Sequence, residues 1–351
     1  MSDSTIPATH KALSIPEFGS GYQLTTRSVH RPGPGNVLVK IEAIGLNPVE
    51  WRLLKVDFRR IAPIWGGSES SGYPLLTGLD GAGTVVEVGP EVKGITIGDR
   101  VTFEGWWEPD LSTYQEYTIA PAELISKIPS SMSFVEAASI PLGLVTAAFG
   151  LCLPYQPPPK SSGLGLKAIW EDGAEGYYKG QPILVFGGSS SSVVDRVMAA
   201  AIQIARYLGF SPLITTSSVK HTDFLLDLGA THIIDRNADV KAETTRILNG
   251  SGLKYVYDAV HSPITQAEVD FLAPGKEATA VFAATHVFKD AGRELFAKLP
   301  EFLEKGIIKP NRIEKLPGGL SGIVEGLARL ETGQISGKKL IVVPSETPNV
   351  V

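Results

Sequence analysis

Two glycines followed by four serines form the part of this sequence best suited to bind a charged ligand. Gly187 and Gly188 follow a short apolar run, Ile183 to Phe186, and the serines lead into apolar residues spaced three or four apart. A strand that enters such a turn at the start of a helix presents backbone N–H groups and the positive end of the helix dipole. The pattern therefore predicts a phosphate-binding turn.

A second strand, predicted over residues 212–216, completes a βαβ unit of the kind that begins a dinucleotide-binding fold. It ends in two threonines, without the Asp or Glu that would bind a free ribose 2′-hydroxyl. Ser217, Ser218 and Lys220 follow, and two hydroxyls with a cation suit a phosphate dianion. An ordinary loop with a helix N-cap is the alternative interpretation of these three residues.

Composition limits the class of protein. A chain of 351 residues, 43% hydrophobic and 20% charged, is long enough for two domains with separate cores. The net charge of −5 and the lack of an extended Lys/Arg cluster argue against a nucleic-acid partner. The single cysteine, Cys152, excludes an intramolecular disulfide and argues against zinc. The polar first residues and the absence of an evident membrane span lead us to expect a cytoplasmic protein without membrane association.

Hydrophobic patterning predicts the elements that must position the site. Residues 1 to about 130 are β-rich, with strands at 37–44, 84–89, 99–103 and 114–119 and a helical turn over 47–55, as in a partly closed barrel or sandwich. A helix interrupted at Pro141 follows from residue 133, and then a Pro/Gly-rich loop over 154–182. Beyond it, helices at 193–208, 224–228, 241–248, 266–272 and 291–306 alternate with strands at 232–235, 255–259 and 279–283. A last helix and strand lie at 323–330 and 340–343.

Five strings in this order resemble the medium-chain dehydrogenase/reductase superfamily over nearly the whole chain: GLDGAGTVVEVGPEV, IGDRV, YQEY, LGATHIIDR and ISGKKLIVV. Further strings, such as LNPVEW and PLGLVTAAFG, resemble the fungal enoyl-reductase-like branch, which includes trans-acting enoyl reductases of polyketide synthases. The resemblance implies an α/β protein with a GroES-like β-rich catalytic domain and a Rossmann doubly wound parallel sheet. The implied bounds are 1–150, completed by 307–351, for the first domain and 151–306 for the second.

The residue types indicate a zinc-independent member of that superfamily. Zinc alcohol dehydrogenases have a Cys where this chain has Asn47, and a His-Glu pair where it has Leu79-Asp80. The lobe with four cysteines is missing as well. Without thiolate or imidazole ligands there is no tetrahedral site to polarise an alcohol, so we expect no metal. The zinc-independent types usually reduce an activated C=C bond.

The resemblance also implies NADPH as the cofactor. Its pyrophosphate would lie on the glycine-serine turn, and its 2′-phosphate would lie beside the serines and lysine after the second strand. The implied cofactor-binding residues are Gly187, Gly188, Ser189, Ser190, Ser217, Ser218, Lys220, Arg236, Asp258, Val260 and Lys338. A solvated surface side chain is the alternative for Arg236.

Four residues are implied near the reacting atoms. Thr146 matches the threonine that bonds the nicotinamide ribose, with a hydroxyl bonded to a helix carbonyl as the alternative. Asn47 matches a position near the nicotinamide, although an Asn-Pro turn would also account for it. Arg52 falls where polyketide-type enoyl reductases often have a lysine that steadies the substrate carbonyl. Lys55, one helical turn away, is either its substitute or a solvated surface residue.

Two segments depart from the family pattern. The turn SSSSVVDRVM is about five residues longer than usual and has no third glycine, and the region 275–292 is short by about one strand. Three hypotheses follow: an NADPH-dependent reductase of an enone or acyl thioester, a quinone oxidoreductase of the same fold, or a homologue with impaired catalysis that binds a nucleotide or a partner. A synthase is one partner that the resemblance allows, and the protein would be a monomer or a homodimer.

Overall fold

The computed structural model describes residues 6–62, 72–155, 163–187, 192–258 and 283–349, without the side chains of residues 192–195. Mutual contacts divide the chain into two compact units. The first consists of Met1–Leu142, Thr285–Glu304 and Pro310–Val351, and the second of Gly143–Ala284 and Lys305–Lys309. The domain bounds implied by the sequence stay a prediction.

The first unit is built mainly from antiparallel strands. These are β1 (Thr9–Ile15), β2 (Gln23–Ser28), β3 (Asn36–Gly45), β4 (Leu75–Leu76), β5 (Asp80–Val88), β6 (Arg100–Glu104), β7 (Tyr117–Pro121), β8 (Ile125–Lys127), β13 (Ile313–Lys315) and β14 (Lys339–Val342). One sheet has the order β2-β1-β4. The larger sheet has the order β13-β14-β3-β5-β6-β8, with β7 also paired to β3. The prediction that the first part of the chain is β-rich is confirmed. The hairpin formed by β1 and β2 was not predicted.

Helices of 4 to 16 residues accompany these strands. They are α1 (Pro48–Arg52), α2 (Phe58–Ile61), α3 (Phe134–Ala137), α8 (Lys289–Glu304) and α9 (Gly322–Glu331). The start of α1 follows from its sequence, because Asn47 and Glu50 form a capping box and Pro48 stands at the first helical position. Alternate residues of β3, such as Val37, Val39 and Ile41, pack in a core that also includes Leu327 of α9. This packing fixes the chain around residue 47.

The segment Phe134–Cys152 is interrupted at Pro141, as its sequence predicts. Ser133 and Glu136 form the predicted capping box at α3, and Pro141 is the first residue of the helix α4 (Pro141–Cys152). The 19-residue segment is long and apolar enough to cross a membrane. The expectation that the sequence contains no run of this length and character was therefore wrong. Because 72% of its apolar window is buried inside the protein, it has the burial of a core helix.

The second unit contains a parallel sheet with the order β11-β10-β9-β12. Its strands are β9 (Ile183–Phe186), β10 (Leu213–Ser217), β11 (His232–Asp235) and β12 (Tyr255–Asp258). The connecting helices are α5 (Ser192–Tyr207), α6 (Thr222–Leu228) and α7 (Val240–Leu248). Leu184, Ile214 and Ile234 pack with Val240 and Leu248 of α7, which covers one face of the sheet. This is the predicted Rossmann-type alternation of strand and helix.

Two predictions near the end of this unit lie outside the described residues. The helix at 266–272 falls entirely within the undescribed stretch 259–282, and so does almost all of the strand at 279–283. Helix α5 begins at Ser192, so the lengthened segment after the serines is helical. The predicted helix at 291–306 is confirmed as α8, shifted by two residues towards the N-terminus.

Candidate functional site

The turn after β9 requires a glycine at its first position. A Cβ on Gly187 would lie 2.0 Å from the backbone O of Thr216 and 2.2 Å from Sδ of Met198. The Gly187 N–H donates to Oγ1 of Thr216 at 3.0 Å, and the same hydroxyl contacts the Gly187 carbonyl at 3.1 Å. The turn is therefore tied to the end of β10. Gly188, Ser189 and Ser190 lie outside the described residues.

The other predicted cofactor residues of this unit stand at the same edge of the sheet. Ser217 ends β10 and pairs with Asp235 of β11, while Asp258 ends β12 and pairs with Phe186 of β9. Strand order reverses between β9 and β12, and ligands of open α/β sheets bind outside the carboxyl ends of strands at such a point. The topology therefore brings these predicted residues to the edge where a dinucleotide would bind. Val260 lies outside the described residues.

Two exposed cations flank this edge. Lys220 lies in a 3-10 turn directly after β10, and Arg236 directly follows β11. The Arg236 backbone N–H donates to the Ser217 carbonyl at 3.0 Å, which holds the two strand ends together. Neither cation has an ion pair within the described parts of the chain. Ser217 is 3% exposed and Ser218 is half-buried. The hydroxyls of these two serines and the two cations therefore stand at neighbouring positions beside the ends of β10 and β11.

Thr146 lies in the middle of α4 and is half-buried. Its backbone carbonyl accepts a hydrogen bond from the Tyr257 hydroxyl at 3.2 Å. Among the described residues its own hydroxyl makes no hydrogen bond, so the helix-carbonyl bond considered as the alternative is not formed. The hydroxyl is therefore available to a ligand.

Asn47 belongs to a buried polar network in the first unit. Its side-chain amide donates to Oδ2 of Asp80 at 2.9 Å, and its carbonyl oxygen accepts from Nζ of Lys339 at 2.6 Å. Lys339 also donates to Asp80, and the Leu142 N–H donates to the other oxygen of Asp80 at 2.7 Å. Both ends of the Asn47 amide are thus engaged by the protein, which gives this side chain a structural partner on each side.

Glu50 extends this network towards Tyr114. One carboxylate oxygen of Glu50 accepts from the Tyr114 hydroxyl and from the Asn47 N–H, and the other accepts from the Leu79 N–H at 3.1 Å. Burial raises the pKa of Glu50 to about 7, although these hydrogen bonds and the Lys339 charge act to lower it. The carboxyl group therefore keeps its proton to a higher pH than an exposed glutamate does.

A third buried carboxyl, Glu104, stands directly opposite Asp80 across β5 and β6. One of its oxygens accepts from both the N–H and the hydroxyl of Thr285, at 2.8 and 2.7 Å. Burial raises the pKa of Glu104 to about 8, despite the hydrogen bonds from Thr285 and with a further rise from the negative charge of Asp80. His286 follows Thr285 in the chain and stacks on Trp106, with ring centroids 5.1 Å apart.

The predicted cations of the first unit lie on its surface. Arg52 is exposed, with its guanidinium 5.5 Å from the centre of the Trp51 ring. Lys55 is also exposed and pairs with Glu331 of α9 at 3.0 Å. Lys338 is exposed and lies 3.4 Å from Glu314, whereas its neighbour Lys339 is buried in the network with Asp80. The structure therefore does not bring Arg52, Lys55 or Lys338 into contact with Asn47.

The sequence analysis did not predict that Glu50, Asp80, Glu104 and Lys339 are buried, although Asp80 entered the zinc comparison. Each had a local signal. Glu50 is the third residue after the N-cap Asn47, and Lys339 directly precedes the apolar run Leu340 to Val343. A charged residue beside or within an apolar pattern is a candidate for burial with a partner, since charges are rarely buried alone.

Comparison with known proteins identifies the family. Residues 33–130 match the alcohol dehydrogenase GroES-like domain, and residues 197–301 match the domain described as zinc-binding dehydrogenase. A trans-enoyl reductase of Aspergillus sclerotiorum, resD, is 31% identical over 358 residues, covering 88% of this chain and 92% of that protein. The chain belongs to the trans-enoyl reductase branch of the medium-chain dehydrogenase/reductase superfamily. The resemblance found in the sequence is thereby confirmed.

Other members of the superfamily extend this comparison. The 2-methylene-furan-3-one reductase of Solanum lycopersicum is 30% identical, with 96% of this chain and 80% of that protein covered. An alcohol dehydrogenase superfamily protein from Novosphingobium aromaticivorans has the same fold, with a TM-score of 0.72, 23% identity and coverage of 95% of this chain and 99% of the other. The CurK enoyl reductase has a TM-score of 0.70 at 20% identity and covers 96% and 99% of the two chains.

The site of this member does not fit the zinc that other members of the superfamily hold. At the positions compared above, Asn47 and Leu79 offer neither thiolate nor imidazole, and the one carboxylate, Asp80, is paired with Lys339. Across the described residues no group of three His, Cys, Asp or Glu is placed to bind a metal ion. The relatives make the protein an oxidoreductase, and its zinc independence stays the prediction that the residue types at these positions support.

Proposed function

We propose that this protein is an NADPH-dependent reductase of activated C=C bonds, acting on an α,β-unsaturated carbonyl such as a 2-enoyl thioester. The observation that carries the proposal is the glycine turn at Gly187, placed at the carboxyl edge of a parallel sheet in a chain whose relatives include trans-enoyl reductases. Gly187 lets this turn pack tightly against Thr216 and Met198, and a tight glycine turn between strand and helix is what a pyrophosphate site of this fold needs.

The preference for NADPH over NADH rests on the end of β10. Ser217 and Ser218 supply hydroxyls there, and Lys220 and Arg236 supply cations that have no ion pair among the described residues. A dianionic 2′-phosphate gains charge-assisted hydrogen bonds from such groups. An NAD enzyme would instead need a carboxylate at the end of β10, where this chain has Thr216 and Ser217.

When bound, NADPH supplies the hydride that the β-carbon of the substrate receives. The Arg52 guanidinium stabilises the enolate oxygen that develops. Lys55 is the second candidate for this role, although its ammonium is already paired with Glu331. The Thr146 hydroxyl holds the nicotinamide ribose, and Asn47 keeps its segment in place through Asp80 and Lys339. The α-carbon takes its proton from water or from an acid of the chain.

The test is an assay of NADPH oxidation with a panel of enones and 2-enoyl thioesters, in the wild type and in the variants Arg52→Gln and Thr146→Val. We expect Arg52→Gln to lower kcat more than it changes the Kd of NADPH. Thr146→Val should weaken productive binding of NADPH. A protein that binds NADPH but oxidises it with no member of the panel contradicts the proposal.

The two other hypotheses stay open and need different measurements. A quinone panel assayed beside the enones distinguishes the quinone oxidoreductase, whose fold is the same. Titration of NADPH against the fluorescence of the five tryptophans distinguishes the impaired homologue, which would bind no cofactor even at millimolar concentration or would bind it without turnover. A cytoplasmic location, a synthase partner and the choice between monomer and homodimer remain predictions.

A further inference from the structure

Helix α4 leaves one hydroxyl-bearing side chain accessible. Between Gly143 and Cys152 every residue is buried except Thr146, which is half-buried. The other side chains of that stretch are apolar, and a helix that is apolar on all sides is normally enclosed in a core. The rotation of α4 about its own axis therefore decides where the Thr146 hydroxyl points.

A hydrogen bond ties this position of α4 to the parallel sheet. The Tyr257 hydroxyl donates to the Thr146 carbonyl at 3.2 Å. Tyr257 lies on β12, where it pairs with Val185 of β9, and it is 2% exposed. Both Thr146 and Tyr257 belong to the second unit. The bond thus joins a strand of the sheet to the helix at the residue whose side chain is accessible.

The direction of this bond is fixed. Burial raises the pKa of Tyr257 well above its usual range, with smaller rises from Asp258 and Cys152. The phenol therefore keeps its proton, and a backbone carbonyl can only accept it. Asp258, the next residue, ends β12 at the edge of the sheet where a dinucleotide would bind. The strand that supplies this donor therefore also leads to that edge.

We propose that Tyr257 is a positioning residue for the cofactor, whose hydroxyl holds α4 in the rotation that presents the Thr146 hydroxyl to the nicotinamide ribose. This inference rests on the proposed function. Apolar packing is non-directional, whereas a hydrogen bond has a preferred distance and angle. The bond from Tyr257 supplies an orientation that the apolar faces of α4 do not specify. Because a buried tyrosine hydroxyl also needs a partner for stability alone, the test must separate positioning from stability.

The first arm of the test compares two ligands by calorimetric titration of the full chain. NADPH contains the nicotinamide ribose, whereas adenosine 2′,5′-bisphosphate has only the adenine end of the cofactor. Tyr257→Phe keeps the ring and removes the hydroxyl, so we expect the Kd of NADPH to rise about threefold and the Kd of the bisphosphate to stay the same. Equal weakening of both ligands would indicate general damage to the sheet edge and overturn the proposal, and so would an unchanged Kd of NADPH.

The matched control is Tyr255→Phe. Tyr255 lies two residues before Tyr257 on β12, so the two side chains share a face of the sheet. Its ring packs against Tyr178 and Phe210, and its hydroxyl makes no hydrogen bond to any residue that the structure describes. Tyr255→Phe should therefore leave the Kd of both ligands unchanged. A rise in the Kd of NADPH equal to that of Tyr257→Phe would also overturn the proposal.

The second arm is a double-variant cycle with Thr146→Val, which removes the hydroxyl but keeps the carbonyl that Tyr257 binds. Thr146→Val should raise the Kd of NADPH about fivefold. The double variant Thr146→Val/Tyr257→Phe should show the same Kd as Thr146→Val, because no hydroxyl is left to orient. The losses of unfolding free energy, measured in urea, should instead add. A further rise in Kd in the double variant would show that Tyr257 acts independently of Thr146.

These measurements also separate the inference from the proposed function. If the cycle gives the expected Kd values but no enone or thioester is reduced, the proposed function fails while the positioning role stands. If thioesters are reduced and Tyr257→Phe binds NADPH as the wild type does, the positioning role fails alone. A wild type that binds no NADPH overturns both.

Discussion

The ammonium of Lys339 donates to the carboxylate of Asp80 inside the first unit, where the two side chains are 1% and 0% exposed. Asn47 joins them by donating to Asp80 and accepting from Lys339. Room for the lysine exists because residue 45 is a glycine, whose Cβ would lie 2.6 Å from Cε of Lys339. The ion pair links the start of β14, the start of β5 and the segment before α1.

Removal of one partner should therefore destabilise the protein strongly. Lys339→Met leaves the Asp80 carboxylate buried without its counter-charge, and we expect the free energy of unfolding to fall by about 3–5 kcal/mol. The double variant Lys339→Met/Asp80→Asn removes that charge and should recover a large part of the loss. Urea unfolding measures both. Lys338→Met, an exposed neighbour, is the control and should change stability by less than about 0.5 kcal/mol. A similar loss in both single variants would contradict a specific role for the buried pair.

Stability should decrease as the pH rises through neutrality. The pKa of Glu50 is raised to about 7 and that of Glu104 to about 8, whereas a glutamate in an unfolded chain has a pKa of about 4.3. Between these values the folded protein retains protons that the unfolded chain has released, so the stabilisation present at low pH is lost as the pH increases. Each group contributes a slope of up to about 1.4 kcal/mol per pH unit.

The variant Glu104→Gln tests this source of pH dependence, because glutamine resembles the protonated carboxyl but does not titrate. Urea unfolding between about pH 5 and about pH 9 should give a shallower decrease for Glu104→Gln than for the wild type. Glu294→Gln, on the exposed side of α8, should keep the wild-type slope. A Glu104→Gln protein with the full wild-type slope would show that Glu104 is ionised throughout.

Substitution at Gly187 should affect both packing and cofactor binding. Gly187→Ala places a Cβ against the Thr216 carbonyl and Met198, and such overpacking costs about 1–3 kcal/mol. We also expect the Kd of NADPH to rise, since the turn must shift to relieve the contact. Gly252→Ala is a suitable control, because a Cβ there meets no atom within 4 Å. Thermal unfolding and fluorescence titration measure the two effects, and equal behaviour of both variants would refute the prediction.

The choice between the two nicotinamide cofactors should depend on Lys220. Lys220→Ala removes one cation beside Ser217 and Ser218, and we expect NADPH to bind about tenfold more weakly with NADH unaffected. Fluorescence titration with each cofactor gives the ratio of the two Kd values. Lys179→Ala, an exposed lysine elsewhere in the second unit, should leave that ratio as it is. Parallel losses for NADPH and NADH would place Lys220 away from the 2′-phosphate.

Local patterns were sufficient to predict most elements of the fold. A largely apolar run after a Pro/Gly turn identified β3, and a spacing of three or four identified α5, because such patterns follow from local backbone geometry. The capping box at Ser133 was likewise predictable, since its partner Glu136 lies three residues further along the chain. The β1–β2 hairpin was missed because β2 is polar and largely exposed, and β1, although mostly buried, mixes polar with apolar residues.

The candidate site, like the fold, could be predicted from the sequence only where it depends on local residue patterns. By itself the sequence determined the superfamily, the glycine turn after β9 and the lack of zinc ligands, since each of these depends on residue types at short spacing. Only the tertiary structure decided that Lys339 rather than Lys338 is buried, that Asp80 is its partner, and that Glu104 faces Asp80 across two strands. Those relationships join residues up to 259 positions apart. A local pattern can mark a charged residue as a candidate for burial, but its partners depend on what the rest of the chain places around it.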